Sequence, residues 1–207
     1  MIYFPVAIML SMTLIVALKS EGGIVLAGDK RAHTGNASLS YNDNNTKVFK
    51  LNDRVAIAGA GDGFDARLVI DELLKHPKVQ TLDLDEIADL AYKISYEKQA
   101  ALYKENEVLF KVGLKAPMKF GFLLVGFDKA GKSKIYSIMD SKLTPREITQ
   151  NSCAIGVPLI AEYIFSKELK KNLTLNALAD LAVKSIAETS NLVTAVSPSF
   201  DAIKISG

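Results

Sequence analysis

An α+β fold, with strands and helices gathered in separate runs, is what this 207-residue sequence predicts. Two observations lead there. Hydrophobic periodicity appears in the order strands, two helices, strands, two helices, one strand, whereas a doubly wound sheet would alternate strand with helix. No internal repeat, Pro/Gly-rich linker or low-complexity stretch divides the chain, and its length suits a single domain.

The elements follow in order. Thr13–Leu18 is a short apolar run that feeds a turn at Ser20–Gly23 and a second run, Ile24–Ala27, which together predict a hairpin. Asp29–Asn45 is polar and rich in Gly, Asn and Ser, a loop with a short strand at Ala37–Ser40. Thr46–Leu51 and Arg54–Gly59 are strands split by Asn52-Asp53. The period then changes to a helix from about Asp62 to His76, stopped by Pro77, with Phe64, Leu68, Val69, Ile70, Leu73 and Leu74 on its apolar side. A second helix is predicted over Leu84–Asn106, with Asp83 as N-cap and Glu86 completing a capping box. Strands return at Lys119–Phe127 and Lys134–Met139 around the turn Asp128–Gly131, and again near Cys153–Ile155. Pro158 opens a third helix whose last turn should carry Lys167, Lys170 and Lys171. Leu175–Thr189 is the fourth helix and Phe200–Ile205 the final strand.

Composition removes several function classes. Apolar residues make up 49% and charged residues 23%, ordinary for a globular chain that needs no disulfide or metal staple. Twenty-five basic against 23 acidic side chains leave +2, not the concentrated basic surface that nucleic acid requires. The single cysteine, Cys153, permits no internal disulfide and fits a reducing, cytoplasmic compartment. His33, His76 and Cys153 are too few soft ligands for a structural zinc, and no metal or cofactor is expected. Met1–Leu18 carries no charged side chain and reaches the lower limit for a membrane span. Yet no Lys or Arg precedes it, Pro5 interrupts it, and Thr13–Leu18 reads better as a buried strand. Residues 1–12 therefore read as a leader, pro-segment or upstream start ahead of one domain, 13–207, with no membrane partner.

A set of residues at fixed places in this order carries the chemistry. Thr13 begins the first strand; VLAGDKRAHTG supplies Asp29 and Arg31; TKVFKL supplies Lys47; VAIAGAGD supplies Gly59. This set resembles the proteasome β-subunit family and its bacterial relative HslV, which are N-terminal-nucleophile hydrolases, over nearly the whole chain from Thr13 onward. The resemblance implies a four-layer αββα sandwich. It implies that Thr13 is the nucleophile, that Asp29 orients Lys47, that the Gly59 N–H serves an oxyanion hole, and that Arg31, His33 and Thr34 lie on the substrate side. Met12 stands where family precursors usually have glycine, and a Met-Thr junction suits removal of the preceding residues, by autoprocessing or by initiator-methionine cleavage.

Each part has a physical reason. A threonine hydroxyl is a weak nucleophile without an adjacent base. Cleavage before Thr13 would free an α-amine with a reference pKa of about 7.7–8.0, able to take the hydroxyl proton. A neighbouring ammonium lowers that pKa and polarises the hydroxyl, and a backbone N–H on the tetrahedral oxyanion is worth ~3–4 kcal/mol. The family pattern also has an aspartate, a serine three residues later and Gly-Gly before the last strand. Asn191–Ser199 has none of these in place, with Val193 and Val196 standing about where the acid and serine belong.

Outside this pattern the same residues have plainer readings: Thr13 a strand threonine, Asp29 and Lys47 an ion pair, Arg31 a structural pairing residue. Gly59–Gly63 lacks the Lys-Ser/Thr of a phosphate loop and has Asp62 in it, so a tight strand-to-helix connection explains the glycines. Cys153 reads as buried, with a Cys153–His33 dyad as the distant alternative nucleophile. The expected function is a threonine peptidase acting on peptides or unfolded protein, assembled as a homo-oligomeric ring and fed by an ATPase unfoldase. The alternatives are an inactive structural subunit, a transpeptidase or amide ligase working through a Thr13 acyl-enzyme, and a membrane-anchored binding module.

Overall fold

The computed structural model describes residues 13–33, 41–61, 63–111, 120–139 and 143–207. Two antiparallel sheets are the centre of the molecule. In the first, the hairpin of β1 (Leu14–Ser20) and β2 (Gly23–Asp29) is flanked by β10 (Ser152–Gly156) and β11 (Phe200–Ile205), in the order β10-β1-β2-β11. In the second, β5 (Val48–Lys50), β6 (Val55–Gly61), β7 (Phe120–Phe127), β8 (Ser133–Met139) and β9 (Arg146–Ile148) follow in sequence order. A small ribbon of β3 (Ala32–His33) and β4 (Tyr41–Asn42) pairs His33 with Tyr41.

Strand alternation sorts side chains into three packed layers. On β1, Leu14, Val16 and Leu18 join a cluster with α4 (Leu159–Glu168) and α5 (Leu175–Leu192). Ile15 and Ala17 face the other way, into the layer between the sheets, where they meet Ala56, Ala58, Leu123 and Val125. On β7, Phe122 and Leu124 face a third cluster, formed with α1 (Gly63–Lys75) and α2 (Leu84–Glu105). The result is helices, sheet, sheet, helices: an αββα sandwich. Central strands covered on both faces explain why Thr13–Leu18 and Lys119–Phe127 read as continuous apolar runs instead of alternating ones. Each large side chain fully buried in these layers contributes about 1.5–3 kcal/mol.

Most expected elements are present, and the capping box of Asp83 and Glu86 forms with both hydrogen bonds at 3.0 Å. The differences have local causes. The third helix ends at Glu168, because Leu169 turns extended (φ −72, ψ 119) and packs into the α4/α5 cluster; only Lys167 lies in its last turn, and Lys170 and Lys171 fall beyond it. Pro158 is its N-cap, one position earlier than expected. Leu68 and Leu74 are partly exposed, at 40% and 36%, and Ala66, Val69, Ile70 and Leu73 make the buried side of α1. β9 was not expected: Arg-Glu-Ile is a short, charged edge strand that apolar periodicity does not reveal. The five-residue α3 (Glu107–Lys111) was also unforeseen. The strand expected at Ala37–Ser40 lies outside the described residues, as does Asp62. Among the described residues no helix is long and apolar enough to cross a membrane, and the second half of the uncharged N-terminal run is β1.

Candidate active site

Thr13 stands one residue before β1 and shares the side of Ile15, so its hydroxyl enters the space between the sheets. Its carbonyl accepts from the Val157 N–H at 2.9 Å, which fixes the start of the strand against the end of β10. Lys47 stands one residue before β5 in the opposite sheet. Its Nζ reaches across to Thr13 Oγ1 at 2.6 Å and to Asp29 Oδ1 at 2.9 Å. All three side chains are buried: Thr13 and Lys47 at 7% exposure, Asp29 at 0%.

Asp29, at the end of β2, has both oxygens occupied. Oδ1 accepts from Lys47 and from the Leu14 N–H at 2.8 Å, while Oδ2 accepts from the Arg31 N–H at 2.9 Å and the Ser197 N–H at 3.2 Å. A buried carboxylate needs such donors, and here neither oxygen is left without one. Burial pulls the Lys47 ammonium below its ordinary value, and the charge and hydrogen bond of Asp29 oppose that pull without cancelling it. The ammonium beside the Thr13 hydroxyl therefore gives up a proton more readily than a solvated lysine.

Arg31 does not reach the threonine. Its guanidinium forms a two-pronged pair with Asp43, at 2.7 Å on each oxygen, stacks 3.9 Å over the Tyr41 ring, and donates to the Thr194 carbonyl. Asp43 is thereby held below the usual carboxylate range, with the Ser197 hydroxyl adding to the effect. Arg31 thus ties the β3–β4 region to segment 193–199, the stretch whose Ser197 amide sits on Asp29. Sequence reasoning missed Asp43, a polar residue in a polar loop that nothing in its spacing marks. Ser197, with Thr194 and Ser199, is a candidate substitute for the family serine, and the contact it makes with Asp29 is through its backbone amide.

The Gly59 amide already has a backbone partner. Its N–H donates to the Lys47 carbonyl at 3.2 Å as part of the β5–β6 ladder. A Cβ there would come within 3.1 Å of Ala66 Cβ and 3.3 Å of Ile70 Cδ1, so the glycine admits the close approach of α1. An oxyanion role would require that ladder bond to open. Val193 and Val196 pack with the α4/α5 cluster, Val196 at 1% exposure, and supply no acid or hydroxyl. The backbone of His33 lies in β3, while its side chain and the whole of Thr34 lie outside the described residues. Cys153 sits on β10 opposite Ala17, part-buried, its thiol pushed up to about 11 by burial, which disfavours it as a nucleophile.

Comparison with known proteins agrees with this fold. The sequence profile of the proteasome subunit family matches residues 11–201. The chain is 26% identical over 196 residues to proteasome subunit beta of Ferroglobus placidus, covering 93% of this chain and 86% of that one. It is 32% identical over 179 residues to proteasome subunit beta 2 of Pyrococcus furiosus, covering 84% and 77%. In three dimensions it superposes on a subunit of the helical assembly of the Anbu complex from Pseudomonas aeruginosa with a TM-score of 0.77, at 16% identity over 93% of this chain and 81% of that one. Anbu of Yersinia bercovieri, described as an ancestral beta-subunit, gives 0.71 at 17% identity, over 93% and 81%. A threonine, lysine and aspartate joined across two sheets of an αββα sandwich, in a sequence that matches over residues 11–201, place this chain in the proteasome subunit family, as a β-type member with the N-terminal-nucleophile hydrolase fold.

Proposed function

We propose that the protein is a threonine peptidase of proteasome type, with Thr13 as nucleophile once residues 1–12 have been removed. The observation that carries this reading is the 2.6 Å contact between Lys47 Nζ and Thr13 Oγ1, with Asp29 behind it. In the uncut chain the Thr13 nitrogen is an amide and offers no base. Cleavage of the Met12–Thr13 bond frees the amine. The hydroxyl proton then passes to that amine, or to Lys47 in its neutral form. Oγ1 attacks the substrate carbonyl, the amine half of the substrate leaves with a proton, and water releases the acyl ester. Assembly into a homo-oligomer belongs to the same reading, as do peptide or unfolded-protein substrates and an ATPase partner. It does not draw on the face of α2 bearing Ile87, Ala91 and Ile94, which covers the second sheet.

The valines at 193 and 196 support a second reading, in which the ester forms but is released slowly, by water or by an acceptor amine, or the subunit is structural. One experiment separates these. Intact mass of natively expressed protein should begin at Thr13, and an epoxyketone or boronate probe should add to that residue. A retained Met12 removes the base and ends the peptidase reading. Labelling at Thr13 without peptide turnover selects the slow-release reading, and a correctly cut chain that takes no label selects the structural one.

A further inference from the structure

We infer that the cleft at the far end of β1 is a binding site for a small molecule bearing a phosphate group. Lys19 lies six residues from Thr13 along an extended strand, about 20 Å away, so the cleft is separate from the threonine site. Its volume is about 430 Å³, within the usual range for small-ligand sites. Lys19, Lys132 and Lys171 line it from three parts of the chain, together with Ser133, Asn151 and Glu147.

The anomaly is Lys19. It is 9% exposed, yet its Nζ makes one hydrogen bond, to the Ile148 carbonyl at 3.2 Å, and forms no ion pair among the described residues. An ammonium has three N–H groups, and burying it without an anion is costly. Burial draws Lys19 below its ordinary pKa, with Glu147 as the opposing charge and Lys132 adding to the depression. Lys132 and Lys171 are exposed and make no ion pair among the described residues. Three lysines, none of them in an ion pair among the described residues and one of them buried, line one space.

The chemistry of the lining selects the ligand. A planar carboxylate is best matched by the fork of an arginine, and none lines the cleft; ammonium groups act as point charges and suit a tetrahedral oxyanion. The carboxylates of Glu21 and Glu147 reduce the net positive charge of the lining, which argues against a polyanion. A lining carboxylate can accept from hydroxyls on the remainder of the ligand, for which the volume leaves room. The site accordingly fits a phosphate monoester of a small polyol, or free phosphate itself.

Titration calorimetry of the full chain with inorganic phosphate and with glucose 6-phosphate tests this, at constant ionic strength set with chloride. Saturable binding is expected, weakened at least about tenfold, or ~1.4 kcal/mol, in the double variant Lys132→Ala/Lys171→Ala. Those two exposed side chains can be removed without disturbing the core, whereas Lys19→Met reports on the buried member and must first be checked for folding. Tighter binding of the sugar phosphate assigns a monoester, and equal binding assigns free phosphate. No saturation of either ligand by about 10 mM, or equal affinity in wild type and double variant, overturns the inference.

Discussion

The Ser197 amide rests on Asp29 Oδ2 at 3.2 Å, so the carboxylate that orients Lys47 is itself held by the segment before the last strand. Where the family pattern has an acid and a serine, this chain has a backbone contact. That contact rests in turn on Arg31, Asp43 and the Thr194 carbonyl.

Lys47→Ala should remove labelling of Thr13 by an electrophilic probe, a loss of at least about 100-fold, as expected when a proton-transfer partner is lost. It should also cost stability. Asp29 is left as a buried charge without its cation, and breaking such a pair typically costs about 3–5 kcal/mol. Labelling of the variant at the wild-type rate would exclude Lys47 from the chemistry.

Asp29→Asn should be more damaging than its chemical similarity suggests. Each oxygen of Asp29 faces two donors, so the new NH2 group opposes N–H groups in either orientation. Stranding them should cost about 2–4 kcal/mol. At about 2–4 °C per kcal/mol for a domain of this size, the melting temperature should fall by roughly 10 °C. A fall of no more than a degree or two would mean that the site relaxes around the amide.

Asp43→Asn acts at one remove. The negative charge of Asp43 raises the Lys47 pKa, so its removal should move the alkaline limb of Thr13 labelling to lower pH. Loss of the Arg31 fork should also slow labelling several-fold, with about 1 kcal/mol of stability lost from a partly exposed pair. A purely structural role would lower the melting temperature and leave the pH profile where it was.

Lys19→Met should be at least as stable as wild type near neutral pH, with the difference narrowing as pH rises. The folded pKa of Lys19 lies below the unfolded value of 10.5, so between the two the unfolded chain binds more protons. Wild type therefore gains stability with pH across that window, and the variant lacks this share of the gain. Urea unfolding at pH 7 and pH 10 measures it; a gap that widens with pH would reverse the sign.

Gly59→Ala tests the packing reading of that glycine. A methyl group 3.1 Å from Ala66 Cβ should destabilise by about 1–3 kcal/mol through overpacking, while the folded variant still labels at Thr13. Reactivity lost well below the unfolding temperature would instead point to the Gly59 amide.

The sequence disclosed the fold and the Thr13–Lys47–Asp29 group because both rest on strong local signals. Apolar runs, turn residues and a capping box mark the elements, and the three reactive side chains occupy strand ends in a recognisable pattern. The rest depended on contacts between distant segments. Asp43 becomes important only when the ribbon folds beside residue 194, and nothing in TKVFKL indicates that Lys47 is buried instead of lying on a solvated strand start. Gly59 shows the converse: a matched glycine whose amide and missing side chain both have structural uses.

The threonine and the lysine belong to different sheets, and no backbone ladder joins β1 to β5. Apart from the Asp29 bridge, the 2.6 Å between them depends on the apolar layer that holds Ile15 and Ala17 with Ala58 and Leu123. That layer works like the jaws of a caliper: a shift of half an ångström in how the sheets slide on one another is the same half ångström at the hydroxyl. A cavity opened at Leu123 or Ile15 should therefore register first as a misaligned nucleophile, in a protein that still melts cooperatively.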